Sequence, residues 1–488
     1  MKGLRKSANG TPLAFPRTMH TIRLNQGTDM PFSDWAPELG TSGKPRYIEI
    51  AEAIARDVQA GRLTAGARLP PQRRLAERLG IDFTTVSRAY SEAQSRGLVE
   101  SHVGRGTFVR ESAAPAAPQA DPRRAREQDL LMNMPPEPAD PELIAAMREG
   151  LGAVAANLVP LLRYQSATGS EQDRAAALSW LSLRGMAPNL DRIAITPGAH
   201  ATMTAIFCGM AEPGDVVLCE AITYPGLRSI AAKLRLTLVG LPGDRDGILP
   251  DALEAAIRAH GPRALYLNPT LQNPTTRTIP AARRMEIAET LLRHGLPLIE
   301  DDAYGFIPQS PPAPLATLAP DLAWHIGGLA KCIGAGLRIA YAIAPDSRSA
   351  YLLAQTLRTT TVMPSPLSVA LATRWIEDGT ADRIRRFIRA ETAARQALAA
   401  EVLRGFDFDA APNAFNIWLR LPEGAGRAEL MGRMAGRDIG LMPSDAFTVL
   451  GEPSEHVRVC LGGAIPRERL REGLMFMANT LSGQTWLG

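Results

Sequence analysis

Cysteine, histidine and long apolar stretches are scarce in this sequence. The four cysteines among its 488 residues are widely spaced and form no CxxC pair. This spacing disfavours a disulfide framework and a zinc site, and it suits thiols in a reducing compartment. The seven histidines show no spacing typical of metal ligands. No stretch approaches the roughly 18 consecutive apolar residues of a membrane-spanning helix. We therefore expect neither a metal site nor a membrane partner.

An excess of charge of one sign is also missing. The net charge is +4 and the isoelectric point is about 9.0, a balance that many soluble enzymes share and that does not by itself indicate a nucleic-acid partner. Residues 1–23 include basic residues with no apolar stretch behind them, which disfavours a secretory signal and favours a cytoplasmic protein. With 45% hydrophobic residues in 488, the chain exceeds the size of one hydrophobic core, so at least two domains are expected.

The composition and the apolar periodicity of the sequence change along the chain. Residues 1–44 are irregular and rich in Gly, Pro and Ser, as in a loose N-terminal extension. Residues 45–110 are compact and patterned, whereas 111–128 contain AAPAAPQADPRRAR and lack an apolar period, as in a linker. From 129 to 488, apolar runs alternate with amphipathic stretches, the pattern of an α/β domain. The runs 192–196, 216–219, 264–267 and 296–299 are predicted to be buried parallel strands.

The segment 45–110 predicts a small α+β domain. Apolar residues at helical spacing give a first helix up to Ala60, and Leu69-Pro70 opens a second helix. Asp82 is the predicted N-cap of a third helix that runs to Arg96. Two short β runs at 98–100 and 107–109 then flank a tight turn at 104–106. This order is that of a winged helix-turn-helix, whose third helix fits the DNA major groove.

The sequence of this module resembles the DNA-binding domain of GntR-type repressors. The similarity is carried by the segments LPPQRRLAERLGIDFTTVSRAY and GLVESHVGRGTFV. Arginine can fork onto guanine or phosphate, and threonine hydroxyls can hold phosphate oxygens. The alternative reading is that these side chains are merely solvated helix surface. Phe83 stands where several relatives carry a polar residue, so a base contact by this ring would be apolar, to a thymine methyl. The residues that the resemblance places against DNA are Arg73, Thr84, Thr85, Arg88, Arg105 and Gly106.

Two runs carry the chemistry of the larger segment: LIEDDAYGF at 298–306 and HIGGLAKCIGAGLRIAY at 325–341. A strand ends in Asp301, and a second strand reaches Lys331. This order resembles fold-type I pyridoxal-phosphate enzymes, the aminotransferase family, from about residue 129 to the C-terminus. The resemblance implies an α/β domain with a mostly parallel sheet, followed by a smaller C-terminal α/β domain.

The resemblance also implies roles around the cofactor pyridoxal 5′-phosphate. Lys331 is the expected catalytic Schiff-base lysine, since a buried amine loses its proton easily. Asp301 would pair with the pyridine nitrogen, which makes the ring an electron sink. Arg338 would fork onto the phosphate. Tyr304 and Asn273 match positions that hydrogen-bond the ring hydroxyl.

Further cofactor and effector positions follow from the same resemblance. Gly198, Ala199 and His200 lie between a strand and an apolar helix, where backbone N–H groups form a phosphate cup. Tyr224 matches the aromatic residue that stacks on the ring face. Arg458 matches the arginine that clamps a carboxylate, a bidentate task for which lysine is a poor substitute.

The chain departs from these relatives at several positions. Gly328 and Ala330 stand where serines are usual, and Thr276 replaces a common glycine. Ser444-Asp445 stands where a Pro-Gly turn is usual near the mouth of the site. These departures concern efficient turnover more than cofactor binding.

Together the two halves resemble MocR-type regulators, a GntR subfamily. The resemblance implies a head-to-tail homodimer with swapped DNA-binding domains, which suits a double-stranded operator with two half-sites. It implies a regulator that senses an amino-acid-like effector through aldimine formation at Lys331 and then changes its operator binding. A working aminotransferase with an accessory DNA-binding domain is the alternative. A DNA-binding protein with a purely structural partner domain fits poorly with the intact Asp301, Lys331 and Arg338.

Overall fold

The computed structural model describes residues 34–39, 44–102, 105–110 and 131–483. It divides into two compact units, with the boundary between Glu127 and Gln128. The predicted linker 111–128 lies outside the described residues, as does most of the predicted extension 1–44. Within the described residues, no helix is long and apolar enough to cross a membrane.

The first unit is a three-helix domain with a two-stranded wing, as predicted. Helix α1 packs on α3 around a core that includes Ile50, Leu75 and Val86. The Asp82 carboxylate accepts a hydrogen bond of 2.7 Å from the Thr84 backbone N–H, so it caps α3 at the predicted place. The strands pair antiparallel. The elements are α1 Arg46–Gln59, α2 Gln72–Leu79, α3 Phe83–Ser95, β1 Val99–His102 and β2 Gly106–Val109.

The described part of the N-terminal extension, residues 34–39, packs on this unit. The Trp35 indole donates to the Asp57 carboxylate at 2.6 Å, and its ring lies against the core. The Arg78 guanidinium donates to the backbone oxygen of Asp34 at 2.9 Å. Composition alone did not indicate this packing, because a single tryptophan in a polar stretch carries no periodicity.

The second unit is an α/β domain followed by a smaller α/β subdomain. Its helices are α4 Pro141–Ala155, α5 Leu158–Leu161, α6 Glu171–Ser182, α7 Ala199–Met210, α8 Pro225–Leu234, α9 Pro250–His260, α10 Ala281–His294, α11 Ser347–Thr360, α12 Pro366–Glu377, α13 Thr380–Val402, α14 Arg427–Met434 and α15 Arg467–Leu481. Its strands are β3 Ile193–Thr196, β4 Val216–Glu220, β5 Thr237–Leu241, β6 Gly243–Asp244, β7 Gly247–Ile248, β8 Ala264–Leu267, β9 Leu298–Asp301, β10 Ala323–Gly328, β11 Ala340–Ile343, β12 Phe408–Asp409, β13 Asn416–Arg420, β14 Leu441–Pro443 and β15 His456–Cys460.

The central sheet has seven strands in the order β3-β11-β10-β9-β8-β4-β5. Strands β5, β4, β8, β9 and β10 pair in parallel, which confirms the mostly parallel sheet. One strand prediction was wrong in its pairing: among the described strands, β3 lies at the sheet edge, and its one neighbour is β11, which runs antiparallel to it. A buried apolar run indicates burial on both faces but does not specify the direction of the neighbouring strand.

A second, four-stranded sheet in the order β12-β13-β15-β14 forms the predicted C-terminal subdomain. Its strands pair antiparallel, and its apolar face, including Leu419 and Val457, packs with Leu470 and Leu474 of α15. Strand β15 runs between β13 and β14, so its middle residue, Arg458, is held on both sides by the sheet.

The fold places predicted cofactor-binding residues at one edge of the central sheet. The carboxyl ends of parallel strands meet at the same edge, where α/β proteins bind ligands. Strand β9 ends there at Asp301, and the neighbouring β10 ends at Gly328. Lys331 therefore lies in the turn after β10 and not within the strand, which corrects the prediction that the strand reaches it. The hydrogen bond from Leu329 N–H to Ile339 O extends the pairing of β10 with β11 by one residue, and Lys331 follows two residues later.

Candidate functional site

A single cavity of about 380 Å³ contains the side chains that the sequence predicted for cofactor and effector. The rest of its lining is largely apolar and includes Met203, Ile339 and Met442. The predicted residues that line it are Gly198, Ala199, His200, Tyr224, Asn273, Asp301, Tyr304, Lys331, Arg338 and Arg458. Residues from α7, α8, β9 and β15 therefore meet at one place, although they are far apart in the chain.

Lys331 presents an amine whose proton is weakly held. Its Nζ donates to the backbone oxygen of Asn133. Burial, and then the positive charge of Arg458, lower the pKa of the Lys331 amine to about 8. A substantial fraction of this amine is therefore neutral near pH 8 and able to attack a carbonyl carbon.

Asp301 presents a buried carboxylate oxygen to the cavity. The residue is 5% exposed, and Tyr266 Oη donates to its Oδ2 at 2.9 Å. Its other oxygen, Oδ1, has no hydrogen-bond partner among the described residues. Burial raises the pKa of Asp301 to about 6, against the opposing effect of the Tyr266 hydrogen bond. A cationic ring N–H is the partner that this oxygen fits, so the residue suits the pyridinium of pyridoxal phosphate.

An anion cradle lies at the start of α7. Gly198 caps this helix at a φ of 96°, and the first N–H groups of a helix have no partner within it. A Cβ added to Gly198 would come within 3.2 Å of the Arg338 guanidinium, so that cation lies directly beside the helix start. Burial, and then Arg338, lower the pKa of His200, which keeps its imidazole neutral near pH 7. Helix N-terminus and arginine together suit a phosphate.

Tyr224 and Tyr304 supply aromatic walls. Tyr224 is the N-cap residue of α8, and burial raises the pKa of its hydroxyl. The Tyr304 hydroxyl accepts a hydrogen bond of 2.9 Å from Asn133 Nδ2, and burial raises its pKa well above 10. Both hydroxyls therefore stay protonated at neutral pH and can donate to a ligand oxygen.

Arg458 is a buried fork, 3% exposed. Its Nη1 donates to the Asn273 side-chain oxygen at 3.0 Å, and its Nη2 donates to the Leu131 backbone oxygen. Its Nε has no hydrogen-bond partner among the described residues. Asn273, predicted to face the ring hydroxyl, uses its oxygen to orient Arg458 here.

The structure shows the surroundings of three positions that depart from the resemblance. Thr276 is 3% exposed and adopts a φ of 62°, a conformation that favours the glycine common at this position. A Cβ added to Gly328 would lie 3.7 Å from the Ala199 Cβ, an ordinary contact distance. Steric crowding therefore does not explain why glycine replaces serine at this position of the cavity. Ser444 is fully buried and its hydroxyl accepts from Arg427 at 2.9 Å. The turn there is held by side chains in place of a Pro-Gly pair.

The predicted DNA-facing residues outside the wing lie on α2 and α3. Arg73 and Phe83 are exposed and adjacent, with the guanidinium 5.8 Å from the ring centre. Thr84 is exposed, and its hydroxyl hydrogen-bonds the Asp82 cap. Arg88 is also exposed, and its guanidinium lies 4.3 Å from the centre of the Tyr47 ring of α1, within the same unit. Thr85, next to Thr84, is half-buried.

The wing carries the remaining predicted DNA contacts. Arg105 is exposed and immediately precedes β2. Gly106 adopts a φ of 108°, and a Cβ there would come within 2.8 Å of the Arg68 guanidinium. The backbone conformation therefore favours glycine at 106, and a larger residue would also displace the Arg68 side chain.

Three residues of the cavity region were missed at the sequence level. Asn133 reaches Tyr304 and Asn416 across 171 and 283 sequence positions. Asn268 donates to the Asp301 backbone oxygen at 2.7 Å, and Tyr266 contacts the same residue. The only sequence signal for the last two is their place at the end of an apolar strand, one strand away from Asp301.

Comparisons with known proteins agree with this geometry. The family model "Aminotransferase class I and II" matches residues 129–475, and "Bacterial regulatory proteins, gntR family" matches residues 46–109. The chain is 27% identical to the uncharacterized HTH-type transcriptional regulator YdeF of Bacillus subtilis, over 95% of this chain and 100% of that protein. It is 25% identical to the probable rhizopine catabolism regulatory protein MocR of Rhizobium meliloti, over 80% of this chain and 82% of that protein.

Among solved structures, the second unit resembles LysN, an α-aminoadipate aminotransferase from Thermus thermophilus complexed with N-(5′-phosphopyridoxyl)-L-leucine. The TM-score is 0.65 with 23% sequence identity, covering 73% of this chain and 92% of that one. This likeness establishes the aminotransferase fold.

Fold and matches together define a transcription regulator of the GntR type that carries an aminotransferase-like domain. The chain belongs to the aminotransferase class I and II family and combines that domain with a GntR winged helix-turn-helix, as MocR-type regulators do. Its N-terminal unit binds DNA.

Proposed function

We propose that this regulator senses an amino-acid-like effector at the Lys331 cavity and changes its affinity for operator DNA in response. The observation that carries the proposal is the meeting of three groups in one cavity. They are an amine of lowered pKa at Lys331, a buried carboxylate oxygen of Asp301 that no described residue hydrogen-bonds, and the Arg458 guanidinium.

The residues present fit pyridoxal 5′-phosphate. This cofactor supplies an aldehyde that condenses with primary amines and a ring that withdraws electrons. Asp301 would hold the ring nitrogen, and Lys331 would hold the aldehyde carbon. The α7 N-terminus and Arg338 would bind the phosphate, and the Tyr224 ring would cover one face.

The cavity also selects for the effector. The Arg458 fork suits a carboxylate, since two parallel N–H donors match two carboxylate oxygens. At the aldehyde carbon of the cofactor, a primary amine of the effector would replace the amine of Lys331. An effector therefore carries both groups, separated by a distance that spans Arg458 and Lys331.

Coupling to DNA requires that the effector favour one of two arrangements of the protein. When the effector amine takes the place of the Lys331 amine, the lysine side chain is free to make new contacts. Those contacts, and the contact of the effector carboxylate with Arg458, exist only in the liganded state. We further propose a homodimer, because two winged helices read two half-sites of an operator.

The test is the visible absorption spectrum of the cofactor-loaded protein while amino compounds are added singly. A band that shifts with one compound and then stays constant for hours supports a sensor. Lys331→His should abolish this shift and leave DNA binding intact, whereas an unchanged response in that variant contradicts the proposal.

A second candidate function is aminotransferase activity, favoured by the complete set of Asp301, Lys331 and Arg338. Its signature is a band that decays to the amine form of the cofactor while a keto acid accumulates over many turnovers. The absence of the usual hydroxyls at 328 and 330 weakens the support for the phosphate and disfavours this candidate.

A further inference from the structure

An aromatic ring lies against the guanidinium of Arg458. The guanidinium carbon of Arg458 lies over the Phe447 ring, 5.3 Å from its centre. At this distance the negative face of the ring attracts a cation, and the attraction is stronger where both groups are removed from water. Phe447 is fully buried and Arg458 nearly so. The Asn273 oxygen accepts a hydrogen bond in the plane of the guanidinium, whereas Phe447 contacts its face.

A second ring supports Phe447 from the C-terminal sheet. Trp418 of β13 and Met442 of β14 both lie directly opposite Arg458 of β15, so the three side chains share one face of the sheet. The Trp418 ring is buried and meets the Phe447 ring edge to face, with the two ring centres 5.6 Å apart. Aromatic pairs favour this arrangement. The Phe447 ring is therefore held against the row of side chains that contains Arg458.

The backbone of Phe447 is fixed as well. Its oxygen accepts a hydrogen bond of 2.9 Å from the N–H of Thr223, the residue before Tyr224, and its own N–H donates to the Ser444 oxygen at 2.9 Å. Ser444 is the fully buried residue that stands where relatives have a Pro-Gly turn. The position of the ring is therefore set by main-chain contacts in addition to its packing on Trp418.

We propose that Phe447 is a positioning residue, whose ring face holds the Arg458 guanidinium in the orientation that receives a carboxylate. The hydrogen bond to Asn273 orients the guanidinium within its plane, and the contact with the Phe447 face limits rotation out of that plane. A side chain that is already held loses less rotational freedom when a ligand binds, so the ligand binds more tightly. Phe447 therefore favours amino compounds that carry a carboxylate over amines that lack one. This inference rests on the proposed function, because it takes Arg458 as the carboxylate site.

The test compares two non-covalent ligands that differ in one carboxylate. They are the reduced adducts of pyridoxal 5′-phosphate with L-alanine and with ethylamine, each titrated into the full-length cofactor-free protein. The measured quantity is the ratio of their dissociation constants. Both adducts contain the same phosphopyridoxyl group, so a change that affects only the cofactor part of the cavity cancels in this ratio. In the wild type, the alanine adduct is expected to bind at least about tenfold more tightly than the ethylamine adduct.

Two changes at position 447 test the ring. Phe447→Leu removes the ring face, and it is expected to lower the preference for the alanine adduct by about three- to tenfold. A phenylalanine with a fluorinated ring at this position keeps nearly the same shape but weakens the negative face, and it should lower the preference by about twofold or more. Because it keeps the shape, this variant decides alone if Phe447→Leu does not fold.

The matched control is Phe415→Leu. Phe415 is 1% exposed and also packs edge to face on an aromatic residue of the cavity, Tyr304, with the ring centres 5.6 Å apart. Its loss should change the affinity of both adducts by the same factor. A purely structural role of Phe447 would likewise affect the two adducts equally.

The inference is overturned if the fluorinated variant keeps the wild-type ratio, or if Phe415→Leu lowers the ratio as much as Phe447→Leu does. Either result leaves the proposed function standing, provided that the wild type prefers the alanine adduct. Equal binding of the two adducts by the wild type would overturn both the inference and the carboxylate site of the proposed function. If the ratios change as expected but no amino compound changes operator affinity, the role of Phe447 is supported and the proposed function fails.

Discussion

Replacement of Asp301 by asparagine should weaken cofactor binding and at the same time stabilise the cofactor-free fold. The carboxylate is 5% exposed, and one of its oxygens, Oδ1, has no partner among the described residues. Asparagine has nearly the same shape, and its amide oxygen can still accept from Tyr266. The substitution therefore removes the charge and changes little else.

The effect on stability follows from the pKa. Burial raises the pKa of Asp301 from 3.8 to about 6 in the folded protein. The folded state thus holds the proton more tightly than the unfolded state, and stability falls as pH rises from about 4 through 6. At 1.36 kcal/mol per pKa unit, the ionised carboxylate costs about 3 kcal/mol above pH 6. The amide introduced by Asp301→Asn does not titrate, so the cofactor-free variant should be more stable than the cofactor-free wild type at pH 8.

The effect on the cofactor has the opposite sign. A hydrogen bond to a charged partner contributes about 1.5–3 kcal/mol, so Asp301→Asn should weaken cofactor binding by about 10- to 150-fold. Urea denaturation of both cofactor-free proteins at pH 4 and pH 8 measures the first effect, and cofactor titration measures the second. A stability difference that does not grow between pH 4 and pH 8 would refute the assignment of a buried, cavity-facing carboxylate.

Other predictions concern single side chains. Because the pKa of Lys331 is lowered to about 8, the rate of covalent cofactor attachment should rise with pH through a midpoint near 8, and a midpoint near 10 would contradict this. Arg458→Lys loses the fork, so effector affinity in the spectral titration should fall by about tenfold or more. If Phe83 reads a thymine methyl, deoxyuridine at one operator position should weaken the wild type but not Phe83→Ala; equal losses exclude this reading. Arg105→Ala should lower the slope of log affinity against log salt by about 1, uniformly across sequences, and an unchanged slope would remove Arg105 from the phosphate contacts.

Local sequence rules captured the elements whose cause is local. The Asp82 cap, the strand 264–267 and the helix start after Gly198 all follow from neighbouring residues. The cofactor and effector residues were predicted because the motifs that contain them resemble those of fold-type I pyridoxal-phosphate enzymes. The structure shows that these residues line one cavity. Their individual contacts with the cofactor, and the contacts of the first unit with DNA, stay predictions.

The features that sequence could not supply are long-range. Nothing near Asn133 indicates that it meets Tyr304 and Asn416 across the fold. The antiparallel partner of β3 is equally invisible, because pairing direction depends on β11 far along the chain. Arg88 has a side chain suited to DNA, yet it lies over Tyr47, and only the packing of α1 on α3 reveals that contact.

The most direct test of the central claim is operator affinity measured with and without an amino compound. The operator is a duplex selected from a random library by the full-length cofactor-loaded protein, and the compound is the one that produces a stable spectral shift. We predict that this compound changes the affinity of the wild type several-fold or more, while Lys331→His binds the same duplex with no response. Equal responses in the two proteins, or no response in the wild type, would contradict the claim that the Lys331 cavity controls DNA binding.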